Sequence, residues 1–418
     1  MKSSSLFCLA CCLLLLVPLQ GVTADKKQNL NFAVSVSTKA QREAYYFLAQ
    51  QFEQENPDVR VVIKALSSEV YKQEFPKLIS EDNHYDVMYW HAGQRLNEFV
   101  EQGLVQNLNA VWEQQKWSSS FDPSVFSTLT QNGNQYALPI SYYQLGFYYR
   151  KSLFNRLGLY EPKNWNEFLQ VCQSLKKSNI APIYIGTDSN WPATAWFDYL
   201  NIRQNGLDFH MQLVQGKMSF LDPRVTVVLE KLRTLIVQEY FIQGHENLSW
   251  IEGLPYIYRG VAGMTLVGNY VVQNIPEEIT DDIGFFPFPS LNAGTETYEE
   301  GPLDVLIVPN TSNNKTLAYR FLAFAGRADV QSKLNNSLGV ISPHRQAQVG
   351  TSELLKEAYQ TLQKAAGISQ FFDRDANKDF ADSIMPILDG FMISADVKNT
   401  QQELESARLS VPSVQISQ

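Results

Sequence analysis

Apolar residues alternate with small or polar ones at Leu30, Phe32, Val34 and Val36, a period of two that predicts a strand. Tyr45, Leu48 and Phe52 follow at spacings of three and four, the pattern of an amphipathic helix. Asn56-Pro57 ends it, because the proline ring pushes the preceding residue out of helical geometry. Val59, Val61 and Ile63 predict a second strand, and Tyr71, Phe75, Leu78 and Ile79 a second helix. Residues 86–90 make a third strand, and Leu96, Phe99 and Val100 a third helix closed by Gly103. Strand–helix–strand repetition of this kind implies a parallel sheet with helices on both faces.

The pattern changes near Gln135. Residues 136–150 form an aromatic, extended run, too long for a routine linker, which is expected to cross into a second unit. Amphipathic helices are predicted at 165–177 and 223–238, and strands at 181–185, 262–267, 283–286 and 305–308. The tail from Thr351 is helical in pattern, through Leu354, Leu355, Tyr359 and Leu362 and then Ile384, Ile387, Leu388 and Phe391. No internal repeat interrupts this order.

Composition narrows the class. The chain has 418 residues, 44% hydrophobic, which is enough apolar material for a core and excludes a disordered chain. That length fits two compact units. Lys and Arg number 34 against 43 Asp and Glu, and the resulting charge of −9 argues against nucleic acid or anionic lipid as partner. Lys2, an apolar run over residues 6–19, and the small-residue site Val22-Thr23-Ala24 have the layout of a cleavable secretory signal. Cys8, Cys11 and Cys12 would leave with residues 1–24, so Cys172 alone would remain and no internal disulfide could form. A secreted chain held together by its core alone suits a bacterial periplasm.

Catalytic signatures are missing. There is no Gly-x-Ser-x-Gly elbow, phosphate-cradling glycine loop or His-Glu-x-x-His pair, and Gly260, Gly263 and Gly268 lack dinucleotide-loop spacing. His84, His91, His210, His245 and His344 show no metal-ligand spacing, and no cofactor is implied. Cys172 beside Val171 reads as an inert core thiol. Asp373, Asp375, Asn377 and Asp379 repeat like the start of a calcium loop, but Lys378 stands at the glycine position and Ile384 at the bidentate glutamate position. A solvated helix start is therefore expected there.

What the chain does carry is aromatic side chains outside core-periodic positions. Trp90-His91 ends a strand at the carboxyl edge of the predicted sheet, where ligands bind in such folds. Tyr142 and Tyr143 lie in the crossing run and alternate sides, so one of them is expected to face a cleft. Trp191 falls in the polar stretch 186–192, Trp196 follows in a helical pattern with Phe197 and Leu200, and Asn269-Tyr270 comes after an apolar strand. For Trp90 and Trp196 core packing is as well supported as a place in a cleft, and His91 is at least as readily a polar loop residue. Flat aromatic faces cover the C–H faces of a pyranose, while Asn, Asp, His and Arg bond its hydroxyls.

An ordered set of segments resembles the extracellular solute-binding proteins of sugar ABC transporters, the maltose-binding-protein-like family. These include Phe52-Glu-Gln-Glu-Asn-Pro-Asp-Val, Gly133-Asn-Gln-Tyr-Ala-Leu-Pro, Tyr148-Tyr-Arg-Lys-Ser-Leu-Phe, Asn164-Trp-Asn-Glu-Phe, Gly260-Val-Ala-Gly-Met and Gly339-Val-Ile-Ser-Pro. The resemblance implies an α/β fold of two lobes, each a mainly parallel sheet flanked by helices, joined by three crossings. On this chain the lobes would be 25–137 plus 303–342, and 138–302 plus 343–418. It also implies ligand contacts at Tyr142, Tyr143, Asn269, Tyr270, Asp304, His344 and Arg345. The implied function is that of a monomeric periplasmic receptor that closes on a mono- or oligosaccharide and delivers it to the permease subunits of an ABC importer. A receptor reporting to a sensor kinase or chemoreceptor is the alternative, and a secreted glycoside-active enzyme a more distant one.

Overall fold

The computed structural model describes residues 27–80, 85–292, 294 and 296–411. The expected signal segment, with Cys8, Cys11 and Cys12, lies outside them.

The first strand, Gln28–Ser35, is central because both faces are apolar: Leu30, Phe32 and Val34 point one way and Ala33 the other, all fully buried. It pairs in parallel with Val59–Leu66 on one side and Val87–His91 on the other. The returning strand Leu303–Ile307 runs antiparallel beside Val87–His91, and Leu138–Tyr142 closes the other edge of this five-stranded sheet. The intervening helices form as their periodicity predicts. Lys39–Glu55 starts with a capping box, in which Thr38 accepts from the Gln41 N–H and the Gln41 side chain reaches back to the cap. It buries Tyr45, Leu48 and Phe52, while Ser68–Ser80 buries Tyr71, Phe75, Leu78 and Ile79.

A second sheet of four strands has the order Ile283–Phe286, Leu145–Arg150, Ala262–Gly268, Ala181–Tyr184. Each sheet contains one reversed strand, Leu303–Ile307 in the first and Leu145–Arg150 in the second, and all others in that sheet point the same way. Separate apolar clusters pack under them, one around Phe32, Phe52 and Phe321 and the other around Phe147, Phe168 and Trp196. The tail helices Lys378–Ser394 and Val397–Ser410 pack on Trp191–Asn205 and Pro223–Val237, beside the second sheet.

The aromatic run 136–150 is two strands rather than one. Leu138–Tyr142 hydrogen-bonds into the first sheet, and only Tyr143-Gln144 crosses to Leu145–Arg150. Leu138–Tyr142 thus belongs to the first sheet and not to the second unit that the sequence boundary at residue 137 assigned it to. Cys172 sits inside the helix Trp165–Lys177, fully buried, and burial pushes its thiol well above the usual range.

Candidate ligand-binding cleft

The carboxyl ends of the parallel strands in both sheets face one concavity. After Gln28–Ser35 the chain enters Ser37 to Gln41, after Val59–Leu66 it enters Ser68 to Lys72, and after Ala262–Gly268 it enters Tyr270 to Asn274. Together with Tyr89, His91, Tyr143, Trp191, Trp250, Leu338, Phe371, Asp373 and Arg374, these segments enclose a cavity of about 370 Å³. A cleft at strand carboxyl ends follows from α/β topology, because the loops there are free to vary while the sheet holds their roots.

One wall is aromatic. The rings of Tyr143 and Tyr270 meet at 5.7 Å and 73°, Tyr270 meets Trp250 at 5.1 Å and 77°, and Trp250 meets Trp191 at 6.5 Å. Trp191 in turn meets Phe371 at 6.0 Å. Edge-to-face contacts of this kind lock each ring by its neighbour.

The floor is a hydrogen-bonded node around Asp304. His91 Nδ1 lies 3.2 Å from Asp304 Oδ1, Arg374 Nη1 donates to the same oxygen at 3.1 Å, and the Tyr143 hydroxyl donates to Oδ2. Burial pushes the Asp304 carboxyl up, but Arg374 and the His91 and Tyr143 hydrogen bonds outweigh it, so the group stays below the usual carboxylate range. His91 goes down to about 4, through burial first and the Arg374 charge second, against the opposing pull of Asp304. At neutral pH the ion pair is therefore Arg374–Asp304, and His91–Asp304 is a neutral hydrogen bond. Since Asp304 can only accept, Nδ1 carries the proton and Nε2 is left as an acceptor. Asp373 pairs with Arg95 at 3.4 Å and fixes the rim.

Four of the sequence-predicted residues line the cleft: His91, Tyr143, Trp191 and Tyr270. The others do not. Trp90 points to the opposite face of its strand from Tyr89 and His91, stacked on Phe75 at 3.6 Å. Tyr142 alternates likewise away from Tyr143 and is buried in the first core. Trp196 is in the second core among Phe147, Phe241 and Phe288. Asn269 is fully buried behind Tyr270, and Asp304 lies beneath the floor, orienting residues that line it. His344 is buried against Phe121, and Arg345 is on the surface, paired with Asp122 at 2.9 Å.

The expected solvated helix start at 373–379 is also corrected. Arg374 and Asp375 are buried, Asp373 lines the cleft, and Asn377 bonds Glu98 across to the helix Gln94–Glu101. Sequence reasoning missed Trp250, Gln273, Asn274, Phe371 and Arg374. For Trp250, an aromatic in the polar stretch after Asn247, the same criterion that picked Trp191 would have served. For Arg374 the alternating acids drew attention away from the cation between them.

Two α/β units joined by short strand crossings, with an aromatic cleft between their carboxyl edges, define a two-lobed solute receptor. The family described as bacterial extracellular solute-binding protein matches residues 36–332, and the chain belongs to it. The melibiose/raffinose/stachyose-binding protein MelE of Bacillus subtilis is 26% identical over 300 residues, covering 68% of each chain. An uncharacterised ABC transporter extracellular-binding protein of Pyrococcus horikoshii is 23% identical over 329 residues, 76% of this chain and 72% of its own. Among solved structures, the bacterial solute receptor AcbH, with an exclusive preference for β-D-galactopyranose, superposes with a TM-score of 0.84. It shares 25% identity over 91% of this chain and 98% of its own.

Proposed function

We propose that the cleft binds a neutral, galactose-containing mono- or oligosaccharide and releases it unchanged to the membrane subunits of an ABC importer. The reading rests on one observation: the rings of Tyr143, Tyr270, Trp250 and Trp191 converge on a cavity that is also lined by hydroxyl, amide and imidazole groups and by charged side chains held in ion pairs. Stacking suits the C–H face of a pyranose, and His91 Nε2 takes a hydroxyl proton. The cationic and anionic side chains at the floor and rim neutralise each other, which favours a neutral ligand. The sugars bound by MelE and AcbH support galactose as the shared unit. The protein acts in the periplasm as a monomer after its signal segment is removed, and it performs no chemistry on the sugar.

Calorimetry with galactose, melibiose, raffinose, stachyose and maltose tests this. Saturable binding of one galactoside with micromolar or tighter affinity is expected, with the sugar recovered intact by chromatography. Absence of binding across the panel rejects the sugar assignment, and a shortened product rejects the binder reading.

A further inference from the structure

The turn Asn269–Asn274 carries Tyr270 of the aromatic wall, and with it Gln273 and Asn274. It continues the second-sheet strand Ala262–Gly268 and is tied to that side by the Tyr258 hydroxyl, which donates to the Asn274 carbonyl at 2.9 Å. Within the turn, Asn274 Nδ2 donates to the Tyr270 carbonyl at 3.3 Å. Beside it ends the helix Ala328–Leu338, which belongs to the first unit. Its Val330, Leu334 and Leu338 are in the first core, and it packs on Lys39–Glu55. Leu338 and Gln273 both line the cleft.

A helix leaves its last carbonyls without partners of its own. Here the backbone just past the end answers for two of them: the Gly339 N–H reaches the Asn336 carbonyl at 3.4 Å, and the Val340 N–H reaches the Asn335 carbonyl at 3.0 Å. The Ser337 carbonyl is met from the other unit. Gln273 Nε2 donates to it, and also to the Asn336 carbonyl at 3.3 Å. A side chain carried by the second sheet thus caps a helix of the first.

Gly339 leaves room for that amide. Its φ of +65° ends the helix in the left-handed region, and a Cβ there would stand 2.2 Å from Gln273 Cγ and 2.9 Å from Cδ. Two residues on, Ile341 and Tyr142 exchange backbone hydrogen bonds in both directions. Tyr142 is the last residue of its strand before the crossing Tyr143-Gln144. The Gln273 contact therefore lies close to where the chain passes between the units, yet on the cleft side of that passage.

We propose that Gln273 is a positioning residue that clasps the two units: its amide caps the helix Ala328–Leu338 and holds the turn bearing Tyr270 at sugar-binding distance from His91 and Tyr143. The inference rests on the sugar-receptor reading and adds to it a residue that acts through the placement of Tyr270. Gln273 and Ser337 are both exposed, so the clasp orients the units and adds little to global stability. Its loss speeds sugar dissociation more than it slows association, as most changes within one binding interface do.

The test titrates the full chain with galactose, melibiose, raffinose and stachyose. Gln273→Ala should raise Kd about fivefold, the worth of one ordinary hydrogen bond. The change should appear as faster dissociation in stopped-flow tryptophan fluorescence, with the melting temperature of the unliganded chain nearly unchanged. Gln273→Lys should recover most of the lost affinity, because an ammonium can donate to the same carbonyls at the negative end of the helix. Gly339→Ala should also weaken binding, and the double variant Gly339→Ala, Gln273→Ala should bind no more weakly than Gly339→Ala alone. Wild-type Kd and dissociation rate in Gln273→Ala overturn the clasp, as do additive losses in the double variant. A Gln273→Lys chain as weak as Gln273→Ala overturns it too, and assigns the amide to the sugar itself. If the wild type binds none of these sugars, the sugar reading fails, and small-angle scattering of the unliganded chains tests the clasp alone. A larger radius of gyration in Gln273→Ala than in the wild type then supports it, and identical curves overturn it.

Discussion

Asp304 stands directly across the antiparallel pair from His91, and its Oδ1 lies 3.2 Å from the imidazole Nδ1. The same carboxylate receives Tyr143 from the first crossing and Arg374 from the tail. One buried negative charge therefore orients three side chains that line the cleft, each delivered by a different part of the chain.

Removing that charge strands Arg374. Asp304→Ala is expected to lower stability by about 3–5 kcal/mol, the cost of an uncompensated buried ion, and to weaken sugar binding at least tenfold. In urea titrations the double variant Asp304→Ala, Arg374→Gln should recover at least half of the lost stability, because the stranded cation is gone. If it is no more stable than Asp304→Ala, the ion pair is not the cause.

The aromatic residues separate by location. Trp250 is half-buried on the cleft wall, so Trp250→Ala should raise Kd about tenfold while leaving the melting temperature nearly unchanged. Trp196 is 1% exposed in the second core, and Trp196→Ala should cost about 3–5 kcal/mol. Equal losses of stability in the two variants would contradict this assignment.

At Gly93 the tail packs tightly against the loop that follows the strand Val87–His91. The glycine φ is +95°, and a Cβ there would stand 2.5 Å from the Arg374 carbonyl oxygen. Gly93→Ala should cost about 1–3 kcal/mol in strain and push Arg374 off Asp304, reducing affinity along with stability. Wild-type affinity in this variant would show that the contact is passive.

Buried histidines set part of the pH dependence. Burial pushes His210 down to about 3, from an unfolded value near 6.5. As pH falls through that interval the unfolded chain takes up a proton that the folded chain refuses, so stability falls, by up to about 1.4 kcal/mol per pH unit. Buried acids with raised values, such as Asp375 at about 7, act in the opposite direction, so the comparison must be with a variant. Between pH 6 and 4, His210→Gln should gain on the wild type at about that rate in urea midpoints, and parallel pH profiles would refute the assignment.

Much of the fold was legible because local periodicity and burial coincide. Tyr45, Leu48, Phe52, Tyr71, Phe75 and Ile79 are all core residues of the helices their spacing predicts. The crossing run was recognised as aromatic and extended, yet its division at Tyr143-Gln144 was not visible, since both strands are apolar on both faces. Cleft residues were half legible. Tyr143 and His91 differ from Tyr142 and Trp90 only by the side of the strand they occupy, and composition carries no information about which side meets the second sheet.

Alternation, helical spacing and caps are interactions over a few residues, and they determine the strands and the helices from the chain alone, while the solute-receptor class is carried by the ordered segments that resemble the family. The cleft floor depends on distances that no local pattern encodes. His91 and Asp304 are 213 positions apart, and Arg374 reaches Asp304 across a further 70. Their meeting requires the strand Leu303–Ile307 to return beside Val87–His91 and the tail to fold over it. The acidic run at 373–379, which reads as a solvated surface, is partly buried for the same reason: charges with distant partners look unpaired until the chain is closed.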